Sequence, residues 1–480
     1  MSKIVSKIVV KGILKNISPF LIGKGKGDLI DIEVLKDEKG KPFIPASSFV
    51  GALRHYMEEK YSIENKNTWD QFWGSYIQEQ DSAIQSHFVV SDMYLKSEDV
   101  QGEIIDIRDG IKIDLKFGVA KEGAKYDYEI VNQNLEFDFN AEIVIREGFD
   151  REYFLRILKT LLYELEQGNV RIGAFTTKGF GKFILEGCNV YEFSFLEDEK
   201  RDRAKKYFSY LENGKLDSHD DLKINMNGIR TLPPKGNKDF EIDAVFFLKN
   251  SLLIGSSYVD VKEVEKFKSE PNKIHIRYNQ KPVVPGSSLK GALRARAYKI
   301  VKTLLPESGP EGTELIEALI NNIFGYVTEK SETEDRDEKK TKCRGRISVE
   351  ECILEGVEEA NQTRIKIDRF TGGTITGALF VSRPVWHKDE KLNIRIKVKD
   401  PEEWEIGLLL LVLKDIWCED LPFGGDKAIG RGILKGHKAQ LKYQDKLYKL
   451  SQVDNGKIKI EGNKEDLEYY VKKFLEKIGV

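Results

Sequence analysis

The chain has 480 residues, with 77 Lys and Arg against 79 Asp and Glu and a formal net charge of −2. That length holds two large domains or about three average ones. The charge balance excludes a protein that is basic throughout, so any nucleic-acid site must be a local patch. Four Cys, none at zinc-ligand spacing, fit a reducing cytoplasm, and no apolar run reaches membrane-spanning length.

Residues 3–14 alternate and are rich in Ile and Val, which predicts a strand. The loop Gly23-Lys24-Gly25-Lys26-Gly27 follows, without the spacing of a nucleotide-binding P-loop. Asp31 to Lys36 reads as a short strand, and Asp37-Glu38-Lys39-Gly40 as a turn into Pro42-Phe43-Ile44-Pro45-Ala46-Ser47-Ser48-Phe49-Val50-Gly51-Ala52-Leu53-Arg54. In that stretch Pro45 stops a strand. Ser47 and Ser48 are expected to cap a helix over 48–61. With Arg54 close by, the helix start is a place for phosphate.

Phe72-Trp73-Gly74-Ser75 reads as an aromatic turn, and strands follow at 87–95 and 137–146. Between those strands lies Ile111-Lys112-Ile113-Asp114, then a polar segment broken by Gly, running to Tyr128. A helix over 153–167 leads into the Gly-rich loop Arg171 to Phe183. From 196 to 238 charges cluster and Pro233-Pro234-Lys235-Gly236 breaks regular structure, so 201–239 reads as a linker between domains at 1–200 and 240–440.

The same order then restarts. A strand spans 240–248. The Pro motif returns as Pro282-Val283-Val284-Pro285-Gly286-Ser287-Ser288-Leu289-Lys290-Gly291-Ala292-Leu293-Arg294. Ile365-Lys366-Ile367-Asp368 continues into Arg369-Phe370-Thr371-Gly372-Gly373, and Phe423 to Gly432 mirrors the first Gly-rich loop. The charged insert Thr328 to Lys342 reads as a solvated loop, and 441–480 as an extension. Landmarks recurring in one order are an internal duplication. Its element order predicts an α+β class, with antiparallel sheets and helices on one face.

The repeated Pro-Ala/Gly-Ser-Ser-x-x-Gly-Ala-Leu-Arg motif, the run Ile-Asp-Arg-Phe-Thr-Gly-Gly, and the closing loops Lys178-Gly179-Phe180-Gly181 and Ala428-Ile429-Gly430-Arg431-Gly432 resemble the RAMP superfamily of CRISPR effector proteins. Within it they are most similar to backbone subunits of type III complexes. The resemblance implies two ferredoxin-like (RNA-recognition-type) domains in tandem, each with an inserted thumb hairpin. It implies binding of guide RNA, presentation of that guide to complementary target RNA, and assembly with other effector subunits in the cytoplasm, with no membrane. Residues expected to meet RNA are Ser47, Ser48, Arg54, Lys116, Lys178, Gly179, Lys182, Ser287, Ser288, Lys290, Arg294, Arg369, Lys427 and Arg431. Glycine lets backbone approach phosphate without a Cβ in the way, although tight strand–helix packing explains the Gly loops equally well. Thumbs are expected over 115–130 and 369–384. Phe117, Phe370 and Phe380 are either wedges into a duplex or ordinary core.

Cutting members of the family place one Asp ahead of the Pro motif. Here that implies Asp31 as the catalytic carboxylate and as ligand to Mg2+ or another divalent cation, with Asp28, Glu33 and Asp37 as competitors. A carboxylate beside a scissile phosphate can hold a divalent ion or take a proton from the attacking 2′-hydroxyl. The same spacing in the second copy lands on Asn272, a poorer ligand, with Asp260, Glu263 or His275 as substitutes. The second site is therefore expected to be inactive. Two rivals to a cutting backbone subunit stand beside it: a guide-holding subunit without cleavage, and a guide-processing endoribonuclease.

Overall fold

The computed structural model describes residues 2–27, 30–77, 82–96, 103–195, 200–214, 216, 220–256, 271–278, 281–305, 310–327, 342–386, 391–453 and 457–480. The insert from Thr328, the competing Asp28 and the substitutes Asp260 and Glu263 lie outside them.

In the first half, β1 (Ile4–Asn16) leads to α1 (Ala46–Lys60) and α2 (Lys66–Trp73), then β2 (Phe88–Val90). A long hairpin follows, β3 (Ile105–Ile113) with β4 (Ala120–Val131), and then β5 (Glu136–Arg146), α3 (Arg151–Glu166) and β6 (Phe183–Ser194). The strands form one antiparallel sheet in the order β6-β1-β5-β2. Strict alternation along β5 sends Phe137, Phe139, Ala141, Ile143 and Ile145 inward, as period-2 patterning requires. Helix α3 starts where the Asp150 carboxylate accepts the Tyr153 N–H at 3.0 Å, and turns its Leu and Ile residues onto the sheet. Phe72 and Trp73 do not form a turn; they end α2, in the core against Phe88.

The second half repeats this plan. It contains β7 (Phe240–Leu248), β8 (Lys273–His275), α5 (Gly286–Leu304), α6 (Pro310–Phe324), β9 (Ile347–Val349), a hairpin of β10 (Gln362–Ile367) with β11 (Thr374–Arg383), β12 (Lys391–Val398), α7 (Glu403–Trp417) and β13 (Leu434–Tyr443). Its sheet runs β9-β12-β7-β13, the same order as the first, and is extended by β14 (Lys446–Gln452) and β15 (Ile458–Glu461). The C-terminal helix α8 (Lys464–Lys477) packs on α7.

The segment read as a linker is packed structure. Helix α4 (Lys200–Asn213) lies over the second face of the first sheet, where Tyr207 joins Val9, Tyr191, Phe193, Leu216 and Leu222. There Lys7 donates to Glu142 and to the Tyr207 hydroxyl, both at 2.7 Å. Further on, the Leu232 N–H donates to Thr160 Oγ1 at 2.8 Å. Charge conceals this segment in the sequence, because only one narrow stripe of α4 is apolar.

The halves meet head to tail. The closing loop of the first, a 3-10 turn over Thr176–Lys178, rests against β9 and the start of α5. Arg108 of β3 is 1% exposed and grips Glu351 with both terminal nitrogens, at 2.5 and 3.0 Å, while Arg171 reaches Glu350 at 2.7 Å. A Cβ at Gly286 would lie 2.2 Å from the Lys178 carbonyl oxygen, so only glycine fits under that loop.

Candidate nucleic-acid interface

The head-to-tail contact assembles a group of cations that neither half holds alone. Lys178 comes from the first half, and Lys290, Arg294 and Arg344 from the second. Lys290 Nζ donates to the Ile347 carbonyl at 3.0 Å, and Arg344 donates to Thr176 Oγ1 at 2.5 Å across the seam. Burial, and then Lys178, Arg294 and Arg344, bring the Lys290 ammonium down from the ordinary 10.5 to about 7. Like charges gathered in one place favour an anion, and phosphate suits them by charge. In the sequence Lys178 belongs to the first Gly-rich loop and Lys290 and Arg294 to the second Pro motif; folding brings the two motifs together. Arg344 was missed, because it follows the charged insert with no pattern around it.

The remaining basic candidates divide. Lys116 and Arg369 stand at the two hairpin tips, exposed, and Lys427 is exposed on the second closing loop. Lys182 is half-buried, and Gly179 is buried, where a Cβ would meet the Glu351 nitrogen at 2.7 Å. Arg431 is 2% exposed and spent inside the protein on Asp426, Gln362 and Ser382. The motif arginines have matched internal duties: Arg54 donates to the Gly74 carbonyl at 2.8 Å and Arg294 to that of Gly325 at 2.9 Å. Each ties the motif helix to the end of the next helix. Nor do the serines cap their helices. The N-cap residues are Pro45 and Pro285, without side-chain acceptors, and in the first copy Asp92 accepts the Ala46 N–H at 2.7 Å instead. Ser47 is exposed and Ser48, Ser287 and Ser288 half-buried.

Each Ile-Lys-Ile-Asp run ends the outgoing strand of a hairpin, so the hairpins begin earlier than expected, at Ile105 and Gln362. The Asp shapes the tip. Asp114 accepts the N–H groups of Lys116 and Phe117, and Asp368 those of Phe370 and Thr371. Phe117, Phe370 and Phe380 are 70, 99 and 52% exposed, which removes the core reading for all three.

At the root of the first hairpin Asp31 is exposed, and its Oδ2 accepts the Asp127 N–H at 3.1 Å. Asp127 faces Asp109 across the hairpin, with Lys125 within 4 Å of both. Tyr126 links this corner to the cation group, its hydroxyl 3.4 Å from Lys178 Nζ. In the second copy Asn272 holds the matching place: its Oδ1 accepts the Val381 N–H at 2.8 Å. Thr363 faces Val381 there, and Leu379 stands where the first copy has Lys125. His275 is buried, with one ring nitrogen accepting the Ile254 N–H and the other against the Val283 carbonyl; burial lowers its pKa to about 4. It is a core residue and does not replace a missing acid.

The sequence model of the RAMP superfamily matches residues 13–184 and 248–435. The chain belongs to the RAMP superfamily. The two matched stretches lie one in each structural repeat and leave out all of α4, all of α8 and nearly all of β7. No curated protein matches this RAMP chain. Among its described residues, no helix is long and apolar enough to cross a membrane, and no group of three or more His, Cys, Asp or Glu is placed to hold a metal ion. Asp31 by itself offers a divalent ion one hard carboxylate donor, the type magnesium takes.

Proposed function

We propose that this RAMP protein is a double backbone subunit of a type III CRISPR ribonucleoprotein, holding guide RNA along both halves and cutting complementary target RNA from the first. The observation that carries the reading is the continuity of the four-cation seam with Asp31, through Tyr126 and the root of the first hairpin. Phosphates of a single strand seated on Lys178, Lys290, Arg294 and Arg344 lie beside one exposed carboxylate, and backbone contacts of this kind are independent of sequence. The βαββαβ succession and the sheet order support a ferredoxin-like core in each half, and the long hairpins with aromatic tips support the thumb reading.

In the cutting step, the Asp127 N–H fixes Asp31 through Oδ2, leaving Oδ1 for chemistry. Asp31 Oδ1 takes the proton of the 2′-hydroxyl as its oxygen bonds to the adjacent phosphorus; the P–O5′ bond breaks, leaving a 2′,3′-cyclic phosphate and a 5′-oxygen protonated from water, and the same carboxylate would hold a divalent ion where one is bound. When bound, that ion supplies charge neutralisation at the scissile phosphate. The Asn272 amide cannot take that proton and is a poorer ligand for the ion, so in this reading the second half holds RNA without cutting. The test is isolation of the assembled complex and sequencing of its RNA. A discrete, guide-sized species bearing repeat-derived sequence is expected. Heterogeneous cellular RNA, or none, contradicts the reading.

A further inference from the structure

The contact between the two halves is heterologous: a closing loop on one side and a helix start on the other. Such contacts close into rings or run on as open filaments when both surfaces are present at the two ends of one chain. Both surfaces are present here. The second closing loop, around Lys427 to Gly430, is exposed at Ile429, and Gly430 has open space where Gly179 has its neighbour. The start of α1 is the matching surface of the first half.

The residues that join the halves are nevertheless missing from both outer surfaces. Matching strand pairs put Gln362 where the first half has Arg108. The N–H groups of Ile172 and Phe423 donate equivalent hydrogen bonds to the carbonyls of Gly181 and Gly432, which puts Pro422 at the place of Arg171. On the receiving side, the bridges Ile44 to Met93 and Val284 to Cys352 put Ser91 and Asp92 at the places of Glu350 and Glu351, and Asp92 is already committed to the Ala46 N–H. Phe180, over which Arg108 stacks at 5.5 Å, is replaced by the buried Arg431. Finally, Ala46 stands where Gly286 admits the Lys178 carbonyl. A loop seated on α1 as the first loop is seated on α5 would drive its carbonyl into the Ala46 Cβ.

We propose that the two outer faces are matched to unlike neighbours, other chains of the same fold, so that two copies of this chain do not stack on each other. The in-chain seam is a private junction, defined by Arg108–Glu351, Arg171–Glu350 and the glycine at 286. The exclusion of self-stacking rests on these residues alone; the existence of neighbours rests on the ribonucleoprotein reading above.

The test is sedimentation velocity of the purified full chain over a wide concentration range, without RNA, beside a re-keyed variant. That variant carries Ala46→Gly, Ser91→Glu, Asp92→Glu, Gln362→Arg, Pro422→Arg and Arg431→Phe. The native chain is expected to remain monomeric and the folded re-keyed chain to associate at least tenfold more tightly. A native ladder of oligomers that Ile429→Asp abolishes overturns the proposal, and so does a folded re-keyed chain that stays monomeric. If the re-keyed chain does not fold, the native chain with and without Ile429→Asp still decides. Failure to find guide RNA in the complex would leave these outcomes unchanged, so the two readings fail separately.

Discussion

Asp31 and Asn272 occupy the same position in the two repeats: each offers a side-chain oxygen to the first N–H beside it on the incoming hairpin strand, Asp127 at 3.1 Å and Val381 at 2.8 Å. The two copies therefore share a structural hydrogen bond at this position, while an acid stands in one copy only. The surroundings follow suit, since Asp109, Lys125 and Asp127 are matched by Thr363, Leu379 and Val381. A hairpin root with three carboxylates and a lysine corresponds to one with none at the same four positions.

The seam cations should set RNA affinity. Changing Lys178 and Lys290 to Met is expected to weaken binding of single-stranded RNA regardless of its sequence, and to lower the salt slope by about 0.7 for each phosphate no longer neutralised. Filter binding at several salt concentrations checks this. Unchanged affinity and slope would place the RNA elsewhere.

Lys290 gives that binding a pH signature. Its ammonium is held near 7 in the free protein, and a bound phosphate would raise it, so binding takes up a proton above pH 7. Affinity should fall as pH rises beyond about 7, and Lys290→Met should abolish that dependence. The free protein shows the converse. Because the folded value lies below the ordinary 10.5, the destabilisation is full below about pH 7 and fades as pH rises toward 10.5. Lys290→Met should therefore raise the melting temperature at neutral pH while weakening RNA binding.

The private junction should respond asymmetrically to mutation. Glu351→Ala leaves the Arg108 guanidinium buried without its carboxylate and is expected to cost about 3–5 kcal/mol, whereas Arg108→Met with Glu351→Leu should cost far less. Thermal melts of both variants measure the contrast; equal losses would show that the pair is not desolvated.

Much of this arrangement is legible in the chain itself. Both copies, their order and the Asp31–Asn272 correspondence follow from local spacing, because strand register and Pro turns are local devices. The seam is not legible, since Lys178 and Lys290 belong to different repeats and meet only when the halves dock. Arg431 misleads for a related reason. It looks like an exposed cation in a Gly loop, yet Gln362 and Ser382, distant in sequence, draw it inside. The phenylalanines of the hairpins mislead in the opposite sense, because a hairpin that extends into solvent has no core to bury them.

Those exposed aromatics should act on RNA and not on stability. Phe117→Ala and Phe370→Ala are expected to shift the melting free energy by no more than about 0.5 kcal/mol. In the assembled complex they should quench the fluorescence rise of 2-aminopurine placed in the target opposite a hairpin tip. A large drop in stability, or an unaltered signal, would contradict a role as wedges.

The most direct test is the pattern of cuts in a labelled, guide-matched RNA, made with magnesium by assembled complexes carrying either native chain or Asp31→Asn. The substitution keeps the hydrogen bond to the Asp127 N–H and removes the charge. One cut should vanish while target binding stays unchanged, and no cut should be traceable to the second half. An identical ladder from the two complexes would contradict the assignment of cutting to Asp31.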